Sequence, residues 1–278
     1  MNLCERTLNL MKKYSITPKK ELGQSFLIND RIAKHIVELS EVDGLTVLEI
    51  GAGLGALTEP LALKAKTVYA IEVDPLLSRI LREEILKDYS NVIVIEADFL
   101  KLKPPSVDVV VSNIPYSIAT PILFKLAREC TFNRAILTLQ KELALRITSK
   151  PGTKDYGRLT VSLNAFFKST FLTIIKRNNF YPEPEVDSAV IRLERYEPPY
   201  KINDLDFHLD VVRALFTQRN KILRRALQVS LTKLLNVKVS NMVYKDKRLE
   251  KYMTMRVKDL HPSELAEISN IIREYVES

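Results

Sequence analysis

The chain predicts a doubly wound α/β sheet followed by a small, all-helical domain. Through the first two-thirds of its 278 residues, short apolar runs alternate with stretches of helical spacing. Strand-like runs stop at the proline pair Pro198-Pro199, and the remainder has a helical, basic pattern. Strand–helix alternation implies right-handed crossovers between parallel strands. We therefore expect a sheet domain over residues 1–196 and a helical domain over residues 197–278.

The expected strands are brief runs rich in β-branched residues, as is typical of buried parallel strands. Five of them lie at residues 46–50, 67–72, 91–95, 107–111 and 135–139. Two later ones, at residues 171–176 and 188–194, are expected to close the sheet edge. Helical spacing falls between the strands, at residues 57–64, 76–87 and 119–128.

The charge of the chain points to a polyanionic partner. Lys and Arg number 42 against 34 Asp and Glu, which gives a net charge of +8 at pH 7. Residues 211–245 contain eight basic residues and no acidic one. Such a stretch favours a phosphate-facing surface for nucleic acid over a merely solvated basic face. No part of the sequence approaches the roughly 18 uninterrupted apolar residues of a membrane-spanning helix, so a membrane partner is not expected.

Cysteine usage and the N-terminus indicate the compartment. Cys4 and Cys130 are the only cysteines, too few for a disulfide framework or a structural zinc site. Residues 1–20 lack the apolar core of a secretory leader. We expect a cytoplasmic protein that needs no metal.

Three of the seven glycines lie in one pentapeptide, at Gly51, Gly53 and Gly55, directly after the first expected strand. A glycine turn between a strand and a helix brings bare backbone close to a ligand. Read as G-x-G-x-x-A, with Glu72 about 20 residues on to bind a ribose, it matches the fingerprint of NAD-binding proteins. Read as E-x-G-x-G-x-G, starting at Glu49, it fits an S-adenosylmethionine site. The glycines alone leave both open.

Two later strand ends favour the second interpretation. Asp98 follows the third strand, where its carboxylate is placed to accept from an adenine amino group, although a lone Asp there is also typical of a turn. Asn113-Ile114-Pro115-Tyr116 follows the fourth strand. The Asn113 side-chain oxygen and the next backbone carbonyl are suited to accept from an exocyclic amine, while Tyr116 offers a stacking face. This pattern indicates methylation of an amine by positioning and electrostatics.

With these motifs the chain resembles the small-subunit rRNA adenine N6,N6-dimethyltransferases over almost its whole length. Residues 19–27 resemble the family's N-terminal signature, residues 51–58 its first motif, and residues 113–116 its catalytic Asn-Leu/Ile-Pro-Tyr. The match continues in order through residues 140–144, 156–161, 180–190 and 216–227, the last a basic signature. The resemblance implies a Rossmann-like methyltransferase sheet that uses S-adenosylmethionine to dimethylate two adjacent adenosines near the 3′ end of small-subunit rRNA. It further implies a monomer that acts on the assembling small ribosomal subunit, coupled to its maturation.

The resemblance also assigns residues to roles. Catalysis is assigned to Asn113, Pro115, Tyr116 and Phe180. Donor binding is assigned to Gln24, Ser25, Leu27, Gly51, Gly53, Glu72, Asp98 and Asn113, and RNA binding to Arg219, Lys221, Arg224 and Arg225. Phe180 would stack on the flipped adenine opposite Tyr116, the alternative being a core aromatic at the sheet edge. Ser25 replaces the usual Asn of bacterial relatives, and Asn220 replaces a usual basic residue.

Three other functions remain as alternatives. A methyltransferase of large-subunit rRNA shares Asn-Ile-Pro-Tyr, but the long basic C-terminal signature argues against it. A non-catalytic RNA-binding factor of the same fold conflicts with the intact Asn113 and Tyr116. An NAD oxidoreductase is the third alternative.

The basic signature raises a packing problem of its own. On one continuous helix, Arg219 would fall in the middle of the apolar face, where an unpaired charge is costly. Either it meets a buried carboxylate, or the helix breaks near residues 217–220 and restarts with Asn220 as its cap. We favour the break, because Thr217 and Asn220 suit such a junction.

Overall fold

The computed structural model describes residues 1–19, 22–234, 243 and 246–277. The chain forms two compact units, one of Met1–Ala144 with Lys168–Arg195 and one of Leu145–Phe167 with Tyr196–Ser278. Residues 145–167 thus belong to the helical unit, whereas the division expected from sequence placed them with the sheet. The reason is burial, because Tyr156 and Val161 lie in the core of the helical unit with Val211 and Leu215.

The first unit is built on a seven-stranded sheet. Its strands are β2 (Thr46–Ile50), β3 (Thr67–Glu72), β4 (Val92–Glu96), β5 (Val109–Asn113), β6 (Arg134–Gln140), β7 (Phe167–Ile175) and β9 (Ser188–Arg195). They lie in the order β4-β3-β2-β5-β6-β9-β7. Strands β2 to β6 run parallel, and β9 pairs antiparallel with β6. The predicted α/β sheet is therefore confirmed, with β9 inside the sheet and β7 outermost. A separate pair joins β1 (Phe26–Leu27) to β8 (Phe180–Tyr181).

Local sequence signals explain where the helices of this unit begin. Asn2 and Glu5 form a reciprocal capping box at α1 (Leu3–Lys13), and Asn29 caps α2 (Asp30–Ser40). Asp74 caps α4 (Pro75–Ile80), which runs on into a π-helical turn at Leu81–Ile85. The short α3 (Thr58–Ala62) follows the glycine turn, and α5 (Ala119–Glu129) links β5 to β6.

Both cysteines are free thiols. Cys130 is buried at the end of α5, where Arg195 donates to its carbonyl (2.6 Å) and to that of Leu126 (2.7 Å). Burial raises the pKa of the Cys130 thiol to about 11. Cys4 is half-buried on α1. The two thiols therefore sit in different environments.

The second unit is helical, as the sequence predicts. It contains α7 (Arg158–Asn164), α8 (Leu205–Phe216), α9 (Leu223–Leu234), α10 (Lys247–Glu250) and α11 (Pro262–Glu277), while α6 (Lys141–Thr148) leads into it from the sheet. The ring of Tyr156 meets that of Phe216 edge-on, and its hydroxyl donates to the Leu260 carbonyl (2.7 Å). Within the described part of the chain, no helix is long and apolar enough to cross a membrane.

The predicted break in the basic signature is confirmed, but the predicted cap is wrong. Helix α8 ends at Phe216 and α9 begins at Leu223, three residues beyond Asn220. The N–H groups of Leu223 and Arg224 instead donate to the carbonyls of Met255 (2.8 Å) and Met253 (3.3 Å). These carbonyls satisfy donors that a side-chain cap would otherwise bind.

Candidate active site

A cavity of about 800 Å³, its mouth included, opens at the carboxyl ends of β2 and β5. Here the strand order reverses, and crevices at such points are where doubly wound sheets bind ligands. Its walls are formed by residues 22–27, most of the turn from Gly51 to Leu57, the side chains of Glu49 and Glu72, and residues 113–116. Most of the residues predicted from sequence to bind the donor therefore meet in one place.

The glycine turn is shaped by close approach of its neighbours. Gly51 and Gly53 have φ angles of +73° and +57°, which side chains rarely adopt. A Cβ on Gly53 would lie 3.3 Å from the ring of Phe26, so the turn and residues 22–27 pack without room for a side chain. The turn's N–H groups are occupied within the protein: those of Gly51 and Ala52 donate to the Ile71 carbonyl.

Two buried carboxyl groups line the cavity. The Glu72 oxygens accept from the N–H groups of Gly53 (2.8 Å) and Asp74 (2.9 Å), which fixes the carboxylate against the turn. Burial raises the pKa of Glu72 despite these bonds. Glu49 is 2% exposed, and within the described part of the chain one of its oxygens has no hydrogen-bond partner. Burial raises the pKa of Glu49 to about 8, with the charge of Glu72 adding to the shift.

Asn113 ends β5 with its amide oriented by the protein. Its Nδ2 donates to the Ser25 carbonyl (3.3 Å), while its Oδ1 is buried and has no hydrogen-bond partner among the residues that the structure describes. An orphaned buried acceptor is costly unless a ligand satisfies it. The orphaned oxygen belongs to the residue assigned to hold the reacting amine.

Pro115 and Tyr116 follow at the cavity wall. The Tyr116 hydroxyl lies 2.5 Å from the Ser188 hydroxyl at the start of β9, and burial raises the pKa of Tyr116. A buried serine thus holds the far end of the ring. Sequence reasoning missed this role of Ser188, because no pattern in one chain tells that two strands bring these hydroxyls together.

Segment 22–27 forms a part of the cavity wall that packs against the end of β5, and its polar side chains bind other residues of the protein. Gln24 donates from Nε2 to Asp74 (3.2 Å), and the Ser25 hydroxyl donates to the Pro182 carbonyl (2.8 Å). Leu27 is buried at the cavity wall. Lys20 and Glu21 of the N-terminal signature lie outside the described residues. A contact of Gln24 or Ser25 with the donor stays a prediction.

Asp98 stands apart from the cavity in this structure. Its Oδ1 accepts from the N–H of Leu100 (2.9 Å), and it forms an ion pair with Lys101 (3.7 Å). Among the residues that line the cavity, Asp98 does not occur. This is the turn geometry that the sequence left as the alternative, and its adenine-binding role stays a prediction.

Phe180 is not exposed, whereas stacking on a flipped adenine would need an open ring face. Its side chain is 2% exposed and packs in the sheet core with Ile175 and Val190, because β8 pairs in register with Leu27 of β1. The neighbouring Tyr181 is 43% exposed. The core position that the sequence offered as the alternative is the one observed here, and stacking of Phe180 on a target base stays a prediction.

The four assigned RNA-binding residues divide into two groups. Lys221, Arg224 and Arg225 are exposed. Arg219 is half-buried and donates to the carbonyl of Lys154 (2.8 Å). Its contacts lie inside the helical unit, and it meets no buried carboxylate among the described residues. The basic residues Lys238 and Lys245 lie outside the described residues, as does the side chain of Lys233.

The geometry selects between the two ligands that the glycine motif allowed. A dinucleotide's pyrophosphate needs free N–H groups in the turn, but those of Gly51, Ala52, Gly53 and Gly55 all donate within the protein. Among the described residues, the cavity wall instead holds side-chain oxygens of Glu49 and Asn113 that have no hydrogen-bond partner, and these polar atoms fit an adenosyl ligand with an amino group and a target amine. Fold and site together define an S-adenosylmethionine-dependent methyltransferase.

Comparison with known proteins identifies the methyltransferase family to which the chain belongs. Residues 16–274 match the family described as ribosomal RNA adenine dimethylase, and the chain belongs to that family. A probable ribosomal RNA small subunit methyltransferase A of Methanosarcina mazei is 42% identical over 271 residues, 95% of this chain and 96% of the relative. The corresponding protein of Thermococcus sibiricus is 43% identical over 226 residues, 81% of each chain.

Solved structures agree with this assignment. A dimethyladenosine transferase from Plasmodium falciparum superimposes with a TM-score of 0.77 at 28% identity, covering 91% of this chain and 98% of that one. The 23S rRNA methyltransferase ErmE gives a TM-score of 0.68 at 30% identity, covering 89% and 99%. The chain is an rRNA adenine dimethyltransferase, and the expected methyltransferase fold is confirmed.

Proposed function

We propose that this enzyme dimethylates the N6 amines of two adjacent adenosines near the 3′ end of small-subunit rRNA, within the assembling small ribosomal subunit. The observation that carries the proposal is the buried, unpartnered Oδ1 of Asn113 at the wall of the cavity. Relatives at 42–43% identity named for the small subunit support this substrate over the large-subunit rRNA of ErmE.

The residues at the strand ends act by positioning. The bond from Asn113 Nδ2 to the Ser25 carbonyl fixes the amide so that Oδ1 is free to accept an N–H of the adenine amine. An aromatic amine is a weak nucleophile because its lone pair is delocalised, and an acceptor on its N–H favours a pyramidal nitrogen. Tyr116, tethered through Ser188, supplies a fixed aromatic face. S-adenosylmethionine, when bound, supplies the methyl group on a sulfonium, and Glu72 and the glycine turn would hold it.

The test of the substrate is methylation of assembling small and large subunits in vitro with labelled donor, followed by mapping of the modified bases. We expect label on two adjacent adenosines of the small-subunit rRNA. Label confined to the large subunit would overturn the substrate. No label on either subunit, with the Asn113→Ala variant as background, would favour the non-catalytic RNA-binding alternative.

Three exposed cations of the helical unit, Lys221, Arg224 and Arg225, are proposed to contact rRNA phosphates without reading bases. Neutralising Arg224 and Arg225 together should weaken subunit binding and flatten its salt dependence. Each lost contact reduces the slope of log K against log salt by roughly 0.7–0.9. The measurement is a binding titration over a range of salt concentrations, with donor binding expected to stay unchanged.

A matched control removes two charges from the other unit. Lys64 and Lys66 are exposed next to the start of β3, at the end of the sheet away from the cavity. The Lys64→Gln, Lys66→Gln variant should keep the wild-type salt slope. Equal slopes in all three proteins would show that the basic surface of the helical unit is only solvated.

The proposal extends to a monomer in the cytoplasm. Two free cysteines, one of them half-buried, suit a reducing compartment, where thiols persist. Sedimentation analysis of the purified protein tests the oligomeric state, and fractionation of cells that express it tests the location.

A further inference from the structure

Asp74 joins two elements of the cavity wall, the N-terminal segment and the end of β3, without lining the cavity itself. Its Oδ2 accepts from Gln24 Nε2 (3.2 Å) and forms an ion pair with Lys19 Nζ (2.8 Å), both at the N-terminal segment. Its backbone N–H donates to Glu72 (2.9 Å). Gln24 and Glu72 both line the cavity, whereas Asp74 is not among its lining residues.

The same carboxylate has a second, purely local task. Its Oδ1 accepts from the N–H of Leu76 (3.0 Å), which caps α4. Oδ1 therefore caps the helix, and Oδ2 binds the N-terminal segment. Burial alone would raise the pKa of Asp74, but hydrogen bonds from Lys19, Gln24 and the Leu76 N–H outweigh it and lower the pKa.

Segment 22–27 is anchored to the rest of the sheet unit by the pairing of Phe26 and Leu27 with β8 and by two polar side chains. Gln24 donates to Asp74 and accepts from the Lys19 N–H (2.8 Å), and the Ser25 hydroxyl donates to the Pro182 carbonyl. The Ser25 carbonyl is also the acceptor that orients Asn113. Releasing Gln24 would thus loosen the wall that faces the glycine turn and, beyond it, the Asn113 amide.

We propose that Asp74 is a positioning residue for methyl-donor binding, which fastens the N-terminal wall of the cavity to the strand end that carries Glu72. The inference rests on the proposed function, because it assigns a role at the same donor site. Asp74 contributes by holding Gln24 in place and touches neither donor nor target base.

The Asp74→Asn variant separates the two tasks of the side chain. Asn caps helices as well as Asp does, so its Oδ1 can still accept from Leu76. Its Nδ2 is a donor and cannot accept from Gln24 or Lys19. Since bonds to charged groups are the stronger ones, we expect the Kd of S-adenosylmethionine to rise roughly tenfold or more. The kcat at saturating donor should change less than about threefold, and the melting temperature should stay close to that of the wild type.

Gln24→Leu removes the other partner of the Gln24–Asp74 hydrogen bond. This variant tests the proposal even if the Asp74 variant folds poorly. It should weaken donor binding in the same direction. The double variant should bind S-adenosylmethionine about as tightly as the single variant with the higher Kd, because both changes remove the same interaction. Additive losses in the double variant would contradict the role.

Asp204 provides the matched control. It caps α8 by accepting from the N–H of Phe207 (2.9 Å) and pairs with Arg273 (3.2 Å), so it combines a cap and a cation in the helical unit. Asp204→Asn should leave the Kd of the donor unchanged. Calorimetry with S-adenosylmethionine and with S-adenosylhomocysteine gives the Kd, and saturation kinetics separate kcat from KM.

The outcomes distinguish this inference from the proposed function. If the wild type binds donor and methylates small-subunit rRNA while Asp74→Asn and Gln24→Leu bind within twofold of it, the positioning role of Asp74 is wrong and the function stands. If the wild type binds no donor, the proposed function itself fails. A fall in kcat with an unchanged Kd would also overturn the role.

Discussion

Glu72 and Asn113 end two parallel strands at the same edge of the sheet, yet the protein treats their side chains in opposite ways. Both oxygens of Glu72 are already bound by backbone N–H groups, whereas the side-chain oxygen of Asn113 accepts no hydrogen bond from the part of the chain that the structure describes. The carboxylate is held rigid as part of the cavity wall. The amide is oriented through its nitrogen and leaves its acceptor for a ligand. The difference predicts that Glu72 governs donor affinity and Asn113 governs rate.

Asn113→Ala tests the rate side of this comparison and should have the largest effect. Its acceptor is needed most when the amine attacks, so the variant loses transition-state stabilisation. Loss of one preorganised group of this kind costs about 10²–10³ in kcat. Single-turnover methylation and donor calorimetry check this, with donor and RNA affinities expected within a few fold. Weakened binding with normal turnover would reverse the assignment.

Glu72→Ala tests the affinity side. We expect the KM for donor to rise roughly ten- to a hundredfold, since charge-assisted hydrogen bonds to the donor would be lost, with a smaller effect on kcat. Asp98→Ala should raise the KM less, because its carboxylate is engaged with Leu100 and lies outside the cavity lining. Steady-state kinetics on both variants make the comparison, and a larger effect from Asp98 would show that it moves to the donor when the site fills.

Glu49→Gln asks whether the buried carboxyl of the donor wall is held protonated. Its pKa is raised to about 8 by burial, so between about pH 4.5 and 8 the folded protein binds a proton that the unfolded chain lacks. Stability should therefore fall as pH rises through this window, by about 1.4 kcal/mol per pH unit from this group. Urea unfolding at several pH values should show a flatter profile for Glu49→Gln. The exposed Glu83→Gln control should follow the wild type.

Tyr116→Phe should have the smallest effect. It removes the hydroxyl that meets Ser188 and keeps the aromatic face, so we expect a stability loss of about 0.5–1.5 kcal/mol. Turnover should stay within a few fold of the wild type. Denaturant unfolding and methylation rates measure both, and a hundredfold fall in turnover would place the hydroxyl in the reaction itself.

Much of the fold was predictable because its signals are local. Brief apolar runs and a glycine turn place β2 to β6 and the ligand crevice, since chain order and strand direction follow from alternation alone. The break before α9 was predictable from the misplaced Arg219. Its cap was not, because the acceptors come from Met253 and Met255, some thirty residues away in sequence.

The site was predictable in its motifs and less so in its side-chain contacts. Asn113 and Glu72 line the cavity as the motifs predict. The burial of Phe180 depends on pairing with Leu27 across more than 150 residues, and a single sequence carries no signal for such a register. A single sequence likewise carries no signal that the amide of Gln24 is bound by Asp74.

The different environments of Cys4 and Cys130 allow one thiol to be labelled selectively. With a pKa of about 11, only about one Cys130 thiol in a thousand is ionised at pH 8, and burial shields it further from alkylating reagents. Maleimide dyes should therefore react with the half-buried Cys4 in preference to Cys130, and unfolding should expose the second thiol. A single fluorophore on α1 then reports on the sheet unit without any engineered cysteine.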